Sequence, residues 1–378
     1  LVGCGVALLL VMARYNSKGF RESVEQSLSR STGAHVGLAE LSVNPIKSGV
    51  KAVQFTWPAG GLPKALRFVE LDTRLKPASF LSSRLQGREV RAESGTLAIS
   101  PPTNAIPPLL SRGDRLLDFE SYSCSQFELT YGPETEEPVM RLRGSELTAR
   151  PLKSGDGLRF AVSGGFVRFG DWSELKVNHG YGEWQGGAFN LLSLYTRSGD
   201  SGEAIFKGVQ PISRDGASVF DVQLIQFPLE ELLGLESMGE LFRGVVDGPS
   251  GSLTFDATDV RSGQLRVDLT GSGVSIEGFR FLSGLASILR KEHYTRPEGG
   301  LIKATLNWNS EQMSIEDLEY EVRSQLMVTG SIVVRKQELS GRLQLGVPES
   351  LMMKSLTEPR YSSFSPPRKG YCWTDIEL

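Results

Sequence analysis

Period-two alternation over residues 248–345 constrains the fold of this chain more than any other feature. In Ser252-Leu253-Thr254-Phe255-Asp256-Ala257 the odd positions are apolar and the even ones polar. Gln264 to Thr270 repeats this with Leu265, Val267 and Leu269 against Arg266, Asp268 and Thr270. The pattern returns in Ile302-Lys303-Ala304-Thr305-Leu306-Asn307-Trp308 and in Leu339-Ser340-Gly341-Arg342-Leu343-Gln344-Leu345. Apolar residues on every second position mark strands buried on one side only. A sheet built from such strands has one continuous apolar face, so the chain is expected to be mainly β and mostly antiparallel.

Further strands are expected at 36–43, 50–57, 66–75, 89–100, 125–131, 140–149 and 158–162. Between them, Pro101-Pro102 through Pro107-Pro108 reads as a loop and 132–138 as an acidic turn. The 42 glycines are spread through the chain, which suits many short strands joined by turns and does not suit a helical bundle. Helices are few. Phe20, Val24 and Leu28 recur at four-residue spacing and Gly33 supplies a stop. Pro228 to Gly234 starts on proline and ends on glycine, with a second helical piece at 238–242. Residues 279–293 place Phe281, Leu282, Leu285, Ile288 and Leu289 on one side, as an amphipathic element that packs on the sheet or touches membrane. A last apolar helix is expected over 350–356.

The chain opens on the apolar run Leu1 to Ala13, ended by Arg14. Thirteen residues fall short of the roughly 20 that cross a bilayer, so missing upstream residues are expected to complete a single transmembrane helix. A secretory signal cleaved after Val11-Met12-Ala13, or a lipoprotein box at Leu1-Val2-Gly3-Cys4, is the rival reading. All three place the bulk of the chain outside the cytoplasm. The expected organisation is an anchor at 1–19, a helix and β-rich region at 20–245, and a second β region at 246–378 whose last strand is cut at Leu378.

Chemistry is signalled mainly by what is missing. A net charge of -3 and the lack of a basic stripe with interleaved aromatics argue against nucleic acid as a partner. Cys4, Cys124 and Cys372 form no C-x-x-C pair, and His35, His179 and His293 are isolated, so no metal site or cofactor is expected. Cys124 and Cys372 could pair if the fold brings them together. There is no Gly-x-Ser-x-Gly, His-Glu-x-x-His or Walker loop. Ser48-Gly49-Val50-Lys51 and Ser173-Glu174-Leu175-Lys176 match Ser-x-x-Lys without its companion motifs. Gly180-Tyr181-Gly182-Glu183-Trp184-Gln185-Gly186-Gly187 lacks the ending of a phosphate loop and reads as a glycine-rich hairpin. Glu134, Glu136, Glu137, Glu230 and Glu231 cannot be assigned as paired catalytic acids from sequence. The chain is expected not to be an enzyme, with a polysaccharide-processing β-solenoid as the enzymatic alternative.

The helix Arg21-Glu22-Ser23-Val24-Glu25-Gln26-Ser27-Leu28-Ser29-Arg30-Ser31-Thr32-Gly33, placed after an apolar run and before a strand at Val36 and a turn at Asn44-Pro45, resembles the opening of the AsmA-like family of the AsmA/TamB type. The strands at 318–322 and 326–334, then Leu339 to Leu345 before an apolar helix, are similar to that family's C-terminal region. The resemblance implies a membrane-anchored protein of the bacterial inner membrane with its bulk in the periplasm. It implies an elongated, curled antiparallel sheet whose concave face is a hydrophobic groove. It also implies phospholipid transport between membranes or outer-membrane biogenesis, with phospholipid or another lipid, the membrane and other envelope proteins as partners.

Physics agrees with such a groove. Burying a chain of about sixteen carbons is worth roughly 12 kcal/mol, which needs a continuous apolar path. About twenty strands at ~4.8 Å would extend on the order of 100 Å. The groove candidates are Leu253, Phe255, Leu265, Val267, Leu269, Ile302, Ala304, Leu306, Trp308, Leu326, Val328, Ile332, Leu343 and Leu345. The same rows could instead pack against helices or a second sheet as a closed core, which would suit a structural scaffold of an envelope assembly.

Overall fold

Ser17 and Gly33 set the ends of the first long helix, α1 (Lys18–Thr32): the Ser17 hydroxyl accepts the Phe20 N–H, and Gly33 turns left-handed at φ 69°. The computed structural model describes residues 13–378 except 45–46, 58–62, 77–78, 80–84, 101–116, 133–137, 154–156, 171, 186–187, 212–216, 234–239, 257–258, 260–261, 336–337 and 356–363. Residues 1–12 of the expected anchor therefore lie outside the described residues, as do the proline loop and most of the acidic turn. Among the described residues no helix is long and apolar enough to cross a membrane.

Helix α1 buries Val24 against Val36, Leu38, Val53 and Trp57, with Phe20 and Leu28 beside it. It also closes the edge of the first strand. The N–H groups of Val36, Leu38 and Val43 donate to Ser29 Oγ, Glu25 Oε1 and Asn16 Oδ1 at 3.2, 2.8 and 2.8 Å. An edge strand with free N–H groups is a template for unwanted pairing, and these side chains remove two within β1 and a third at Val43 just beyond it.

Among the described residues nineteen strands then form one sheet. They are β1 (His35–Ser42), β2 (Ser48–Thr56), β3 (Ala65–Leu75), β4 (Leu85–Ile99), β5 (Leu117–Tyr131), β6 (Met140–Pro151), β7 (Gly157–Ser163), β8 (Phe166–Phe169), β9 (Leu175–Gln185), β10 (Ala188–Ser198), β11 (Gly202–Pro211), β12 (Ala217–Pro228), β13 (Phe242–Asp256), β14 (Gln264–Ile276), β15 (Gly300–Asn309), β16 (Met313–Val322), β17 (Leu326–Arg335), β18 (Glu338–Pro348) and β19 (Tyr371–Glu377). Each pairs with its sequence neighbour in antiparallel fashion, with two departures. Strands β4 and β5 run parallel. Strands β7 and β8 lie end to end between β6 and β9, broken by Gly164 and Gly165 at φ 67° and 75°. The division expected at 245/246 falls inside β13, which is paired on both sides, so the sheet runs through it.

Further helices among the described residues are α2 (Leu229–Leu232), α3 (Arg280–Leu289) and α4 (Glu349–Ser355). Helix α3 is shorter than the expected 279–293 because Arg290 adopts φ 54° and a separate 3-10 turn follows at Glu292–Thr295. The second helical piece expected at 238–242 is not formed: 240–241 is a turn and Phe242 already belongs to β13, while 238–239 lies outside the described residues. Cys124 and Cys372 are both buried and form no disulfide with each other.

Candidate functional site

Register, not any single motif, builds the candidate site. Reading cross-strand partners from β1 to β18 gives one unbroken row: Leu41, Val50, Leu71, Ala92, Cys124, Leu147, Val162, Gly180, Leu194, Phe206, Val222, Gly251, Val267, Leu306, Ile315, Ile332 and Gly341. All seventeen positions are apolar or glycine. A parallel row continues Tyr122, Ala149, Phe160, Gly182, Leu191, Gly208, Phe220, Leu253, Leu265, Trp308 and Met313. Neither row carries a charged residue. Charges sit on the alternate positions, as with the guanidinium of Arg143, which bonds Glu174 at 2.8 and 2.7 Å and holds its carboxyl below the usual range.

Several glycines in these rows lie beneath aromatic rings. A Cβ on Gly182 would overlap the ring of Phe160, and one on Gly208 would meet Phe220 at 2.7 Å. Phe160 thereby reaches across β9 to stack on Phe189, with ring centroids 5.0 Å apart. A glycine opposite an aromatic residue lets the ring lie flat over the strand. The glycines here are thus part of the apolar surface as well as turn residues.

The face folds onto itself. Tyr131 of β5 and Phe255 of β13 have ring centroids 6.3 Å apart, although seven strand-to-strand steps of ~4.8 Å separate those strands along the sheet. Trp172, between β8 and β9, meets Trp308 of β15 edge to face at 5.6 Å. Where the face closes, a cavity of about 50 Å³ remains, walled entirely by apolar side chains from β8 to β15 and α2.

Of the fourteen residues expected to line a groove, eleven are buried in this structure: Leu265, Val267, Leu269, Ile302, Ala304, Leu306, Leu326, Val328, Ile332, Leu343 and Leu345. Leu253, Phe255 and Trp308 remain half-buried. Two covers account for this: Leu265 and Val267 lie beneath the fold-over at Phe169, Trp172 and Leu232, and α3 adds Leu282, Leu285, Ala286 and Leu289 to the same core. Phe279 and Phe281 at its start face Val328, Ile332 and Leu343 across a gap of about 10 Å³. The half-exposed stretch of the face lies earlier, on β6 to β10: Leu147, Phe160, Val162, Phe189, Leu191 and Leu194 are all intermediate in exposure. Sequence reading missed this stretch because glycine replaces a side chain at two of the three alternate positions of Gly180-x-Gly182-x-Trp184. Treating glycine as an apolar position would have found it.

The polar candidates fall apart spatially. Ser48 is buried and donates to the Asn44 carbonyl, whereas Lys51 points outward to Glu40 at 2.9 Å. Ser173 and Lys176 are both exposed. His179 stacks on Tyr195, His293 contacts Tyr294, and His35 is exposed on β1. Glu231, raised by burial and then by the neighbouring Glu230, accepts the Ser198 hydroxyl. Among the described residues no group of three or more His, Cys, Asp or Glu side chains could hold a metal.

Comparison with protein-family models, curated proteins and solved structures finds no match. The likeness to the AsmA-like family accordingly rests on the sequence pattern alone.

Proposed function

We propose that this chain binds the hydrocarbon part of a lipid along its apolar face and acts without covalent chemistry. As the AsmA-like pattern implies, it would serve phospholipid transport between membranes or outer-membrane biogenesis, anchored in the bacterial inner membrane with its bulk in the periplasm. The observation that carries the reading is the pair of unbroken apolar rows, half-exposed between β6 and β10. Each buried methylene is worth about 0.8 kcal/mol, and a surface without charges or unmet polar groups can collect that along a whole chain.

A second reading is a structural scaffold of an envelope assembly. It draws on the burial of the same rows beneath α3, which makes the C-terminal half a closed core.

Lipid mass spectrometry on residues 14–378, purified without detergent, tests both. Phospholipid retained at a reproducible ratio, and lost in a folded Leu191→Glu variant, supports the carrier. A lipid-free, soluble monomer sinks it and leaves the scaffold.

A further inference from the structure

The cavity under Trp172 and Trp308 differs from the rest of the face in being neither open nor filled. Its floor is fully buried: Ala204, Val222, Leu224 and Val267 are at most 4% exposed. Its mouth is not, since Phe169, Trp172, Leu253 and Trp308 are half-exposed. It is also continuous with the half-exposed stretch. Leu194 is the cross-strand partner of Phe206, and Leu191 leads through Gly208 and Phe220 to Leu253, with Phe206 and Leu253 both lining the cavity. Farther along the sheet, over β16 to β18, the face is covered by Phe279 and Phe281 at the start of α3.

We infer that this cavity is the terminal subsite for the methyl end of a straight alkyl chain, whose remainder lies over Phe160, Phe189 and Leu191. The assignment rests on the lipid reading above and gives it a direction. A carboxylate or phosphate cannot be the buried end, because no residue lining the cavity carries a charge, the indole N–H groups of Trp172 and Trp308 sit at its half-exposed mouth, and an unpartnered charge on the floor would cost many kcal/mol. A ring system cannot be the occupant either. At about 50 Å³ the space is roughly a third of the ~150 Å³ apolar cavity that takes up benzene, so it accepts a chain tip and excludes a sterol or aromatic group. The chain stops here because α3 blocks the face beyond.

Two sixteen-carbon fatty acids test this on the full chain in phospholipid vesicles, one with a photoreactive diazirine at the methyl end and one with it beside the carboxyl group. The methyl-end probe is expected to label peptides containing Leu253 or Trp308, and the carboxyl-end probe peptides containing Phe160, Phe189 or Leu191. Ala204→Leu, which fills the floor, should weaken methyl-end labelling about tenfold, the affinity that two buried methylene groups supply, while carboxyl-end labelling stays on peptides containing Phe160, Phe189 or Leu191. Leu253→Trp, which narrows the half-exposed mouth, should act the same way and serves if Ala204→Leu does not fold. Equal or reversed labelling by the two probes overturns the subsite and leaves lipid binding intact. Labelling by neither probe overturns the lipid reading itself.

Discussion

Gly182 lies beneath the ring of Phe160, which crosses β9 to stack on Phe189. The arrangement depends on hydrogen at position 182, because a Cβ would overlap the ring edge and approach the Asn190 carbonyl at 2.9 Å. Gly182→Ala should therefore destabilise by ~1–3 kcal/mol, as overpacking does. Gly284 in α3 has nothing within 4 Å of its missing Cβ, and Gly284→Ala should stabilise by ~0.5–1 kcal/mol. Denaturant midpoints of the two variants check both signs, and equal shifts would remove the special role of Gly182.

A charge separates the closed and half-exposed parts of the same row. Leu306 has no exposed surface, so Leu306→Asp should cost more than about 4 kcal/mol and leave little folded protein. Val162 is half-buried, and Val162→Asp should cost only about 1–2 kcal/mol while lipid retention falls. Far-UV circular dichroism and retained lipid, measured on the same samples, distinguish these outcomes. A folded Leu306→Asp would mean that the C-terminal face is accessible after all.

Much of the fold was legible because period two is a local signal. The strands expected at 36–43, 50–57, 66–75 and 140–149 agree with β1, β2, β3 and β6 to within a few residues, and the end of α1 was marked by Gly33. What remained hidden is non-local. The parallel pairing of β4 and β5 has no mark in either strand. Bulges blur the alternation, as at Asp317, whose φ of 49° lets Ile315 and Leu318 share a face three residues apart. Whether the apolar rows are open or covered depends on where α3 lies, and its amphipathic pattern states only that it packs on something.

Glu25 tests the closure of the β1 edge. Its carboxylate accepts the Leu38 N–H at 2.8 Å, an outward-facing group of an edge strand. Glu25→Ala should cost about 1 kcal/mol, with faster amide exchange at Leu38 and no change at Val267 in the buried core. It should also promote edge-to-edge association, read as a concentration-dependent sedimentation coefficient. Unchanged exchange at Leu38 would show that water replaces the carboxylate without loss.

Alkaline pH should unfold this protein through its buried phenols. Burial pushes the Tyr131 hydroxyl up to about 12 from its ordinary value of 10.0, with the Asp256 charge adding to the rise and a bond from Gln210 opposing it. Tyr320 shifts in the same direction, again chiefly by burial, with its hydroxyl 2.8 Å from the Pro297 carbonyl. The folded state holds these protons more tightly than the unfolded chain, so it binds more protons above pH 10 and stability falls as pH rises. The contribution is fully present below about pH 10 and disappears as pH rises through about 12, amounting to roughly 2–3 kcal/mol for Tyr131. Denaturant midpoints should be flat from pH 7 to 9 and decline beyond 10, and Tyr131→Phe should make that decline shallower. The variant loses the Gln210 bond, so its neutral-pH stability should drop by about 1 kcal/mol. Parallel pH profiles for the two proteins would mean that the Tyr131 ring is wet, and that its contact with Phe255 does not seal the fold at that point.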